Sequence, residues 1–518
     1  MPKRHLIPTL ERLCLQNIAS NMNGWTRHYE DNYMGKGVYR YILGPFDILG
    51  SHMVEELTDL LLQQRKLTKA ALHLLLNGGK FRYLNLSMCH KLVTDDEIYL
   101  ISKCKKLKSL NLSGCKRISQ PALCLLAQCL QNINSLDLSS TAVDRQVMQQ
   151  LLSNSQDLVE LRLQKCGVSD EDLRGICWVA SQRQYGMKIL MLDVSHTYVT
   201  RKGVSEVLKK MPQLQVVRYP GIFDCLFESY LPDNFQDTSI DQEELELIIA
   251  KVMSSNQMGQ YQMRSLVSED FAHIPNAMLF LLPLLCPHIT HVDLRLTTGF
   301  DDMGLRQLSS LMKLRELELC CQHNGSSNIT FDGGVIPLLS KRGDRIEKLG
   351  LHDVDDTDLL LVCNMCPNLR GLNIFMMHED AHFSSSSPSH HHARLCPGLQ
   401  DLNIWSKHGD LTLTPSSITH ILSCSTELRE LNLIRTDTLT DYVLLEVMQR
   451  NPFRKLENLS LHECNAVSGE VLTQFLFNEA NNLHKVKLMH CRDTTRRDFA
   501  MWKNMAEEQH YDLTIEWK

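Results

Sequence analysis

The run His378-Glu379-Asp380-Ala381-His382 has the H-E-x-x-H spacing of a zinc peptidase, and His390, His391 and His392 follow closely. That chemistry needs two histidines one turn apart on a rigid helix, a third ligand, and the glutamate as general base. Here the motif runs straight into FSSSSPS, a serine-rich string that disfavours a stable helix. The stretch 378–393 therefore reads as a His/Ser-rich loop, with no metal assigned to it. Cys363-x-x-Cys366 has no second pair at zinc spacing. No Gly-rich phosphate loop, nucleophile elbow or kinase set occurs. No catalytic residue and no cofactor is expected, and nothing demands an enzyme.

The elements that would carry any such residues are set by a repeat. FRYLNLSMC (81–89) returns as LKSLNLSGC (107–115), LVELRLQKC (158–166), LENLSLHEC (456–464) and LHKVKLMHC (483–491). Variants without the cysteine include LRGLNIFMM (369–377), LQDLNIWSK (399–407) and LRELNLIRT (428–436). The first paired anchor falls at 84, 110, 136, 161, 192 and 217, then at 292, 317, 349, 372, 402, 431, 459 and 486. Fourteen units at this spacing resemble leucine-rich repeats, and the second cysteine ahead of many strands (Cys104, Cys129, Cys286, Cys366, Cys396, Cys424) resembles their cysteine-containing subclass. Between strands the apolar spacing becomes helical, and a φ-[ST]-D-x-x-φ signal recurs. One strand and one helix cannot bury a face alone, whereas stacked copies share a continuous core. The expected fold is an α/β leucine-rich-repeat solenoid, with a parallel sheet inside and helices outside, over 80–220 and 289–518.

The jump from 217 to 292 leaves 221–288 as degenerate repeats or a helical insertion; Ser239-Ile-Asp-Gln242 is a capping box ahead of EELELIIAKVM. With eighteen cysteines placed inside the leucine pattern, the thiols read as reduced, small core residues. The first residues, MPKRHLIPTLERLC, are charged where an export signal needs an apolar run. No stretch approaches the ~20 apolar residues of a membrane span. Fifty-four basic and sixty acidic side chains give a net charge of −6, against nucleic-acid binding. A cytoplasmic or nuclear protein is expected.

Residues 1–79 lack the repeat. Thr9 is an N-cap ahead of LERLCLQNIASNM, with Glu11 in the first turn and Leu10, Cys14 and Ile18 on one helical face. An aromatic-rich connector (Trp25, Tyr29, Tyr33, Tyr39, Tyr41) leads to Gly44-Pro45-Phe46-Asp47-Ile48-Leu49. One amphipathic helix over about 52–76 follows, ended by Asn77-Gly78-Gly79. TLERLCLQNI (9–18) resembles the BC-box through which substrate receptors dock on elongin C, and 44–49 is similar to a cullin box, with Gly44 where that box has a hydrophobic residue. The resemblance implies a leucine-rich-repeat receptor of elongin BC–cullin-2 ubiquitin ligases. Thr9, Leu10, Leu13, Cys14 and Ile18 would meet elongin C (with elongin B), and Pro45, Ile48 and Leu49 cullin-2. Two alternatives stand beside it. GPFDILGSHMVEELTDLLLQQRKL (44–67) loosely resembles an F-box, which would recruit a cullin-1 adaptor, and the same helices could be a plain cap on a non-ligase scaffold.

Alternation along φ-x-x-L-x-L-x places Phe375, Trp405 and Ile434 beside one another on the concave sheet face, with Asn373, Asn403 and Asn432 stacked next to them and Asp401 and Glu430 nearby. Clustered aromatics on a rigid scaffold suit a protein substrate.

Overall fold

The computed structural model describes residues 9–32, 45–182, 188–228, 242–254, 260–268, 273–297, 299–321, 329–376, 395–406 and 413–518. His378–His382 and His390–His392 lie outside them. The chain divides into two compact units, Pro8–Leu231 with Tyr261–Met263, and Pro232–Gln260 with Arg264–Lys518.

In the first unit four helices, α1 (Leu10–Ser20), α2 (Met22–Asn32), α3 (Ser51–Gln63) and α4 (Lys69–Leu76), precede six parallel strands. These are β1 (Tyr83–Asn85), β2 (Ser109–Asn111), β3 (Ser135–Asp137), β4 (Glu160–Arg162), β5 (Met191–Asp193) and β6 (Val216–Arg218), each paired in register with the next. The second unit carries β7 (Ser265–Val267), β8 (His291–Thr297), β9 (Glu316–Cys321), β10 (Lys348–His352) and β11 (Gly371–Met376). It continues with β12 (Asp401–Ser406), β13 (Glu430–Ile434), β14 (Asn458–His462), β15 (Lys485–Met489) and β16 (Thr514–Trp517), again parallel and in chain order. Helices alternate with the strands, and the paired anchors, such as Leu110 and Leu112 or Leu402 and Ile404, are buried. The protein is an α/β leucine-rich-repeat solenoid.

The [ST]-D signal has two structural uses. Its hydroxyl caps a helix: Thr440 accepts the N–H three residues on, as do Ser119 and Ser468, which hold the same place in repeats without the aspartate. The aspartate holds the neighbouring repeat: Asp95 Oδ1 accepts Ser119 N at 2.7 Å, and Asp441 Oδ1 accepts Ser468 N at 2.7 Å. Of the cysteines that close the strand motif, Cys115, Cys166, Cys464 and Cys491 are buried, Cys89 is half-buried, and all five are unbridged.

Three features depart from the expectations set by the sequence. Sixteen strands are present among the described residues instead of fourteen. In 221–288 the short helix Ile222–Phe227 and the helix Gln242–Ser254 are followed by β7, whose second anchor is Ser268 where the repeat has leucine. Ser268 is tolerated there because its hydroxyl donates to Asp293 O at 3.1 Å. Strand β16 breaks the pattern because its anchors are Ile515 and Trp517, both only half-buried. The single helix expected over 52–76 is two: Arg65 adopts φ 54°, and Thr68 caps a new helix by accepting Ala71 N at 3.2 Å. The start of the aromatic connector, 22–32, is helical as α2.

How the first strand is completed explains why these helices exist. From β2 to β6 and from β8 to β15, two N–H groups at each strand start share one carbonyl of the preceding repeat: Lys108 N and Ser109 N both donate to Arg82 O, and Asn134 N and Ser135 N to Lys108 O. The first repeat has no predecessor. The Glu55 carboxylate on α3 takes that carbonyl's place, accepting Arg82 N at 2.6 Å and Tyr83 N at 3.0 Å. Beside it α4 is locked to the first repeat helix by a fully buried His73–Glu97 contact, while Glu97 also accepts Thr94 N at 2.7 Å in a capping box. Burial raises the Glu97 carboxyl, but hydrogen bonds from His73 and Thr94 together outweigh it, and its pKa ends below the ordinary 4.5.

Glu55→Ala should cost about 1–2 kcal/mol in chemical denaturation of the first unit, two charge-assisted bonds being lost. Glu97→Ala should cost about 3 kcal/mol, since His73 is left buried without that partner. Because the Glu97 pKa is depressed, its contribution is complete above 4.5 and fades as pH falls through the lowered value. Urea titrations of Glu97→Gln across pH 3–6 should therefore show a flatter acid limb than wild type; an unchanged limb would contradict the assignment.

Candidate protein-docking surfaces

Thr9 caps α1 by accepting Arg12 N at 3.2 Å. The helix has two apolar stripes. Leu15 and Ala19 are buried, with Met22 just beyond, where α1 packs on α3. Leu10 is 78% exposed, Leu13 is 42% exposed, Cys14 is exposed and Ile18 half-buried. Leu10, Leu13, Cys14 and Asn17 follow i, i+3, i+4, i+7 spacing, so they form one outward ridge. Spacing alone does not mark the inward stripe, because leucine and alanine there look the same as those facing out.

Pro45–Ile48 form a turn that leads directly into α3. Ile48 is 89% exposed, Pro45 is exposed and Leu49 half-buried. Phe46 is buried instead, its ring 6.0 Å from that of Trp25 on α2, which anchors the turn. The first turns of α1 and α3 lie side by side: one ligand atom each from Glu11, His52 and Glu56 falls within 4.8 Å of the others, and Arg12 Nε is 3.9 Å from Glu56. This exposed cluster already has its cation in Arg12. By contrast Leu57, Leu60 and Leu61 of α3 are buried.

On the second unit the register places His352, Phe375, Trp405, Ile434 and His462 in one row across β10–β14. The Phe375 and Trp405 rings meet edge to face at 5.9 Å, and His352 lies 4.5 Å from Phe375. Phe375, Trp405 and Ile434 are half-buried. Next to them Asn403 donates to Asn373 Oδ1 at 2.7 Å, and Asn373 donates to Glu318 at 3.0 Å. Asp401 and Glu430 are register partners on β12 and β13.

Among buried thiols, burial pushes Cys104, Cys115, Cys225, Cys366 and Cys464 up to about 12. Cys363 and Cys366 are fully enclosed, and the Cys396 thiol donates to both of their backbone carbonyls, at 3.3 and 3.4 Å.

No protein-family model matches the chain, and no curated protein matches it. Among solved structures, the Rad7 and Elc1 complex in yeast is similar at 16% identity, covering 98% of each chain, with a TM-score of 0.38. An internalin from Listeria monocytogenes is 15% identical over 82% of this chain and 88% of its own, with a TM-score of 0.34. A leucine-rich-repeat protein from Leptospira interrogans is 14% identical over 80% and 91%, with a TM-score of 0.39. At these scores they add nothing to the fold that the strand ladder itself defines. No helix among the described residues is long and apolar enough to cross a membrane.

Timed iodoacetamide labelling of the native protein should modify Cys14 well before Cys104, Cys115, Cys225, Cys366 or Cys464, as read by peptide mass spectrometry. Equal rates would contradict the outward orientation of α1.

Proposed function

We propose that this chain is a substrate-recognition subunit of a cullin–RING ubiquitin ligase. In this reading α1 docks elongin C, which brings elongin B, the turn at Pro45, Ile48 and Leu49 approaches cullin-2, and the sheet face of the second unit holds a protein substrate. The chain would contribute proximity and no chemistry of its own. The observation that carries the reading is the exposure of Leu10, Leu13 and Cys14 on a helix whose opposite stripe is already buried. A helix serving only as a cap would be expected to leave charged residues outside. The closeness of the α1 and α3 first turns supports it further, because both motif segments then face partners from one end of the helical module. The F-box-like alternative is less well supported, since Leu57, Leu60 and Leu61, the apolar residues it would offer, are buried.

Burying a leucine side chain is worth roughly 1.5–3 kcal/mol. Leu10→Lys with Cys14→Lys should therefore weaken elongin B/C binding by roughly 100-fold in a purified pull-down or calorimetric titration. The melting temperature should stay within about 2 °C, as both positions are solvent-facing. Unchanged elongin binding, or recruitment of the cullin-1 adaptor instead, would reject the proposal; Leu15→Asp should differ by destabilising the fold.

A further inference from the structure

The sheet face of β9–β13 has a charge pattern that its own side chains do not resolve. Asp401 and Glu430 stand directly opposite each other on neighbouring strands, a like-charge pair that destabilises a sheet. Among the described residues neither forms an ion pair, and the amide that Asn458 donates to Glu430 at 2.8 Å carries no charge. The nearest cations are engaged elsewhere, Lys348 with Glu316 at 3.5 Å and Arg429 with Glu457 at 3.5 Å. On the other side of Asp401 its register partner is Gly371, and the aliphatic stem of Lys348 lies over that glycine while its ammonium turns to Glu316. The result is a like-charge pair at the surface, with Asp401 half-buried and Glu430 exposed.

Four residues along the same strands, roughly 13 Å away, lies the Phe375–Trp405–Ile434 row. The Asn373 and Asn403 amides occupy the space between, and Asn432 Oδ1 has no hydrogen-bond partner. An occupant must therefore be cationic at one end and apolar at the other, with hydrogen-bonding groups in the middle. A nucleic acid fails the first requirement, because its phosphates would meet two carboxylates.

We propose that this face docks an extended peptide, with an arginine seated between Asp401 and Glu430 and a bulky apolar side chain about four positions away on Phe375, Trp405 and Ile434. A planar guanidinium can bridge two carboxylates, which an ammonium does less well. The apolar end reuses the edge-to-face aromatic pair as a preformed platform. Burial, and next the Glu430 charge, push the Asp401 carboxyl above its ordinary value, so an incoming cation relieves an existing repulsion. This inference deepens the proposed receptor role by naming the class of segment the receptor would hold, and it rests on that reading for its biological meaning.

The test is a displayed library of random 12-residue peptides selected on the full chain and on the Asp401→Lys/Glu430→Lys variant, with Asp401→Asn/Glu430→Gln as a milder second variant. Thermal denaturation confirms that each variant is folded. Wild type should enrich peptides with arginine three to five positions from a bulky apolar residue. Those peptides should lose about tenfold or more in affinity for both variants. Their Arg→Glu versions should gain binding to the double-lysine variant. Trp405→Ala should weaken the same peptides while leaving the arginine preference intact. No enriched pool, a pool without basic residues, or a pool that binds all variants equally would overturn the proposal. The Leu10→Lys/Cys14→Lys chain should select the same peptides as wild type. Elongin binding without peptide enrichment would then sink this inference alone, and enrichment without elongin binding would sink the ligase role alone.

Discussion

Most strands in this protein begin with two N–H groups that share one acceptor, a carbonyl of the repeat before. An array built this way has an unmet requirement at its first strand. The Glu55 carboxylate meets it, which obliges α3 to lie across the edge of β1. Exposed strand edges invite unwanted pairing, so covering one protects against aggregation as well as completing the fold. The rest of the helical module follows from that placement. Helix α4 is fixed by the buried His73–Glu97 contact, and α1 packs on α3 through Leu15 and Ala19. Once those residues are used, Leu10, Leu13 and Cys14 have no place inside. The same module that closes the sheet thus leaves an apolar ridge in water.

The two units use one residue position differently. Between the paired anchors of the first unit, Asn85, Asn111, Asp137 and Asp193 each turn back to accept the N–H two residues on, from Ser87, Ser113, Ser139 and Ser195. These turns end the strands after three residues. In the second unit the amides run sideways instead, Asn403 to Asn373 on the neighbouring strand and Asn373 to Glu318 two strands away. Strands β11 and β12 then run on to six residues, and a further row of side chains reaches the sheet face. That added row contains Phe375 and Trp405. The longer strands of the second unit therefore carry one more row of side chains on the sheet face than the three-residue strands of the first.

Much of the fold was legible because leucine recurring in alternation at a fixed period marks the buried face of a repeated strand and little else. The anchors from Leu84 to Val486 all lie on strands, and the Thr9 cap and the placement of Phe375, Trp405 and Ile434 on one face followed from local spacing. The illegible positions are exceptions to the apolar rule. Ser268 satisfies its hydroxyl on a neighbouring carbonyl and so passes as an anchor in β7. Arg65 takes a left-handed conformation that no glycine announced, splitting a helix whose apolar pattern is continuous on either side. Glu55 and Glu97 have the look of ordinary charged helix positions, because the groups they satisfy are 27 and 24 residues away.

The sequence by itself determined the repeat, its period, the parallel order of strands and the burial of most repeat cysteines, since each depends on spacing that any repeat must obey. It also placed Leu10, Cys14 and Ile18 on one face of α1. Which side faces the protein was decided only in the folded chain. Leu10 and Leu15 differ little as residues, and their fates diverge because α3, held in place by Glu55, covers one stripe and leaves the other in water.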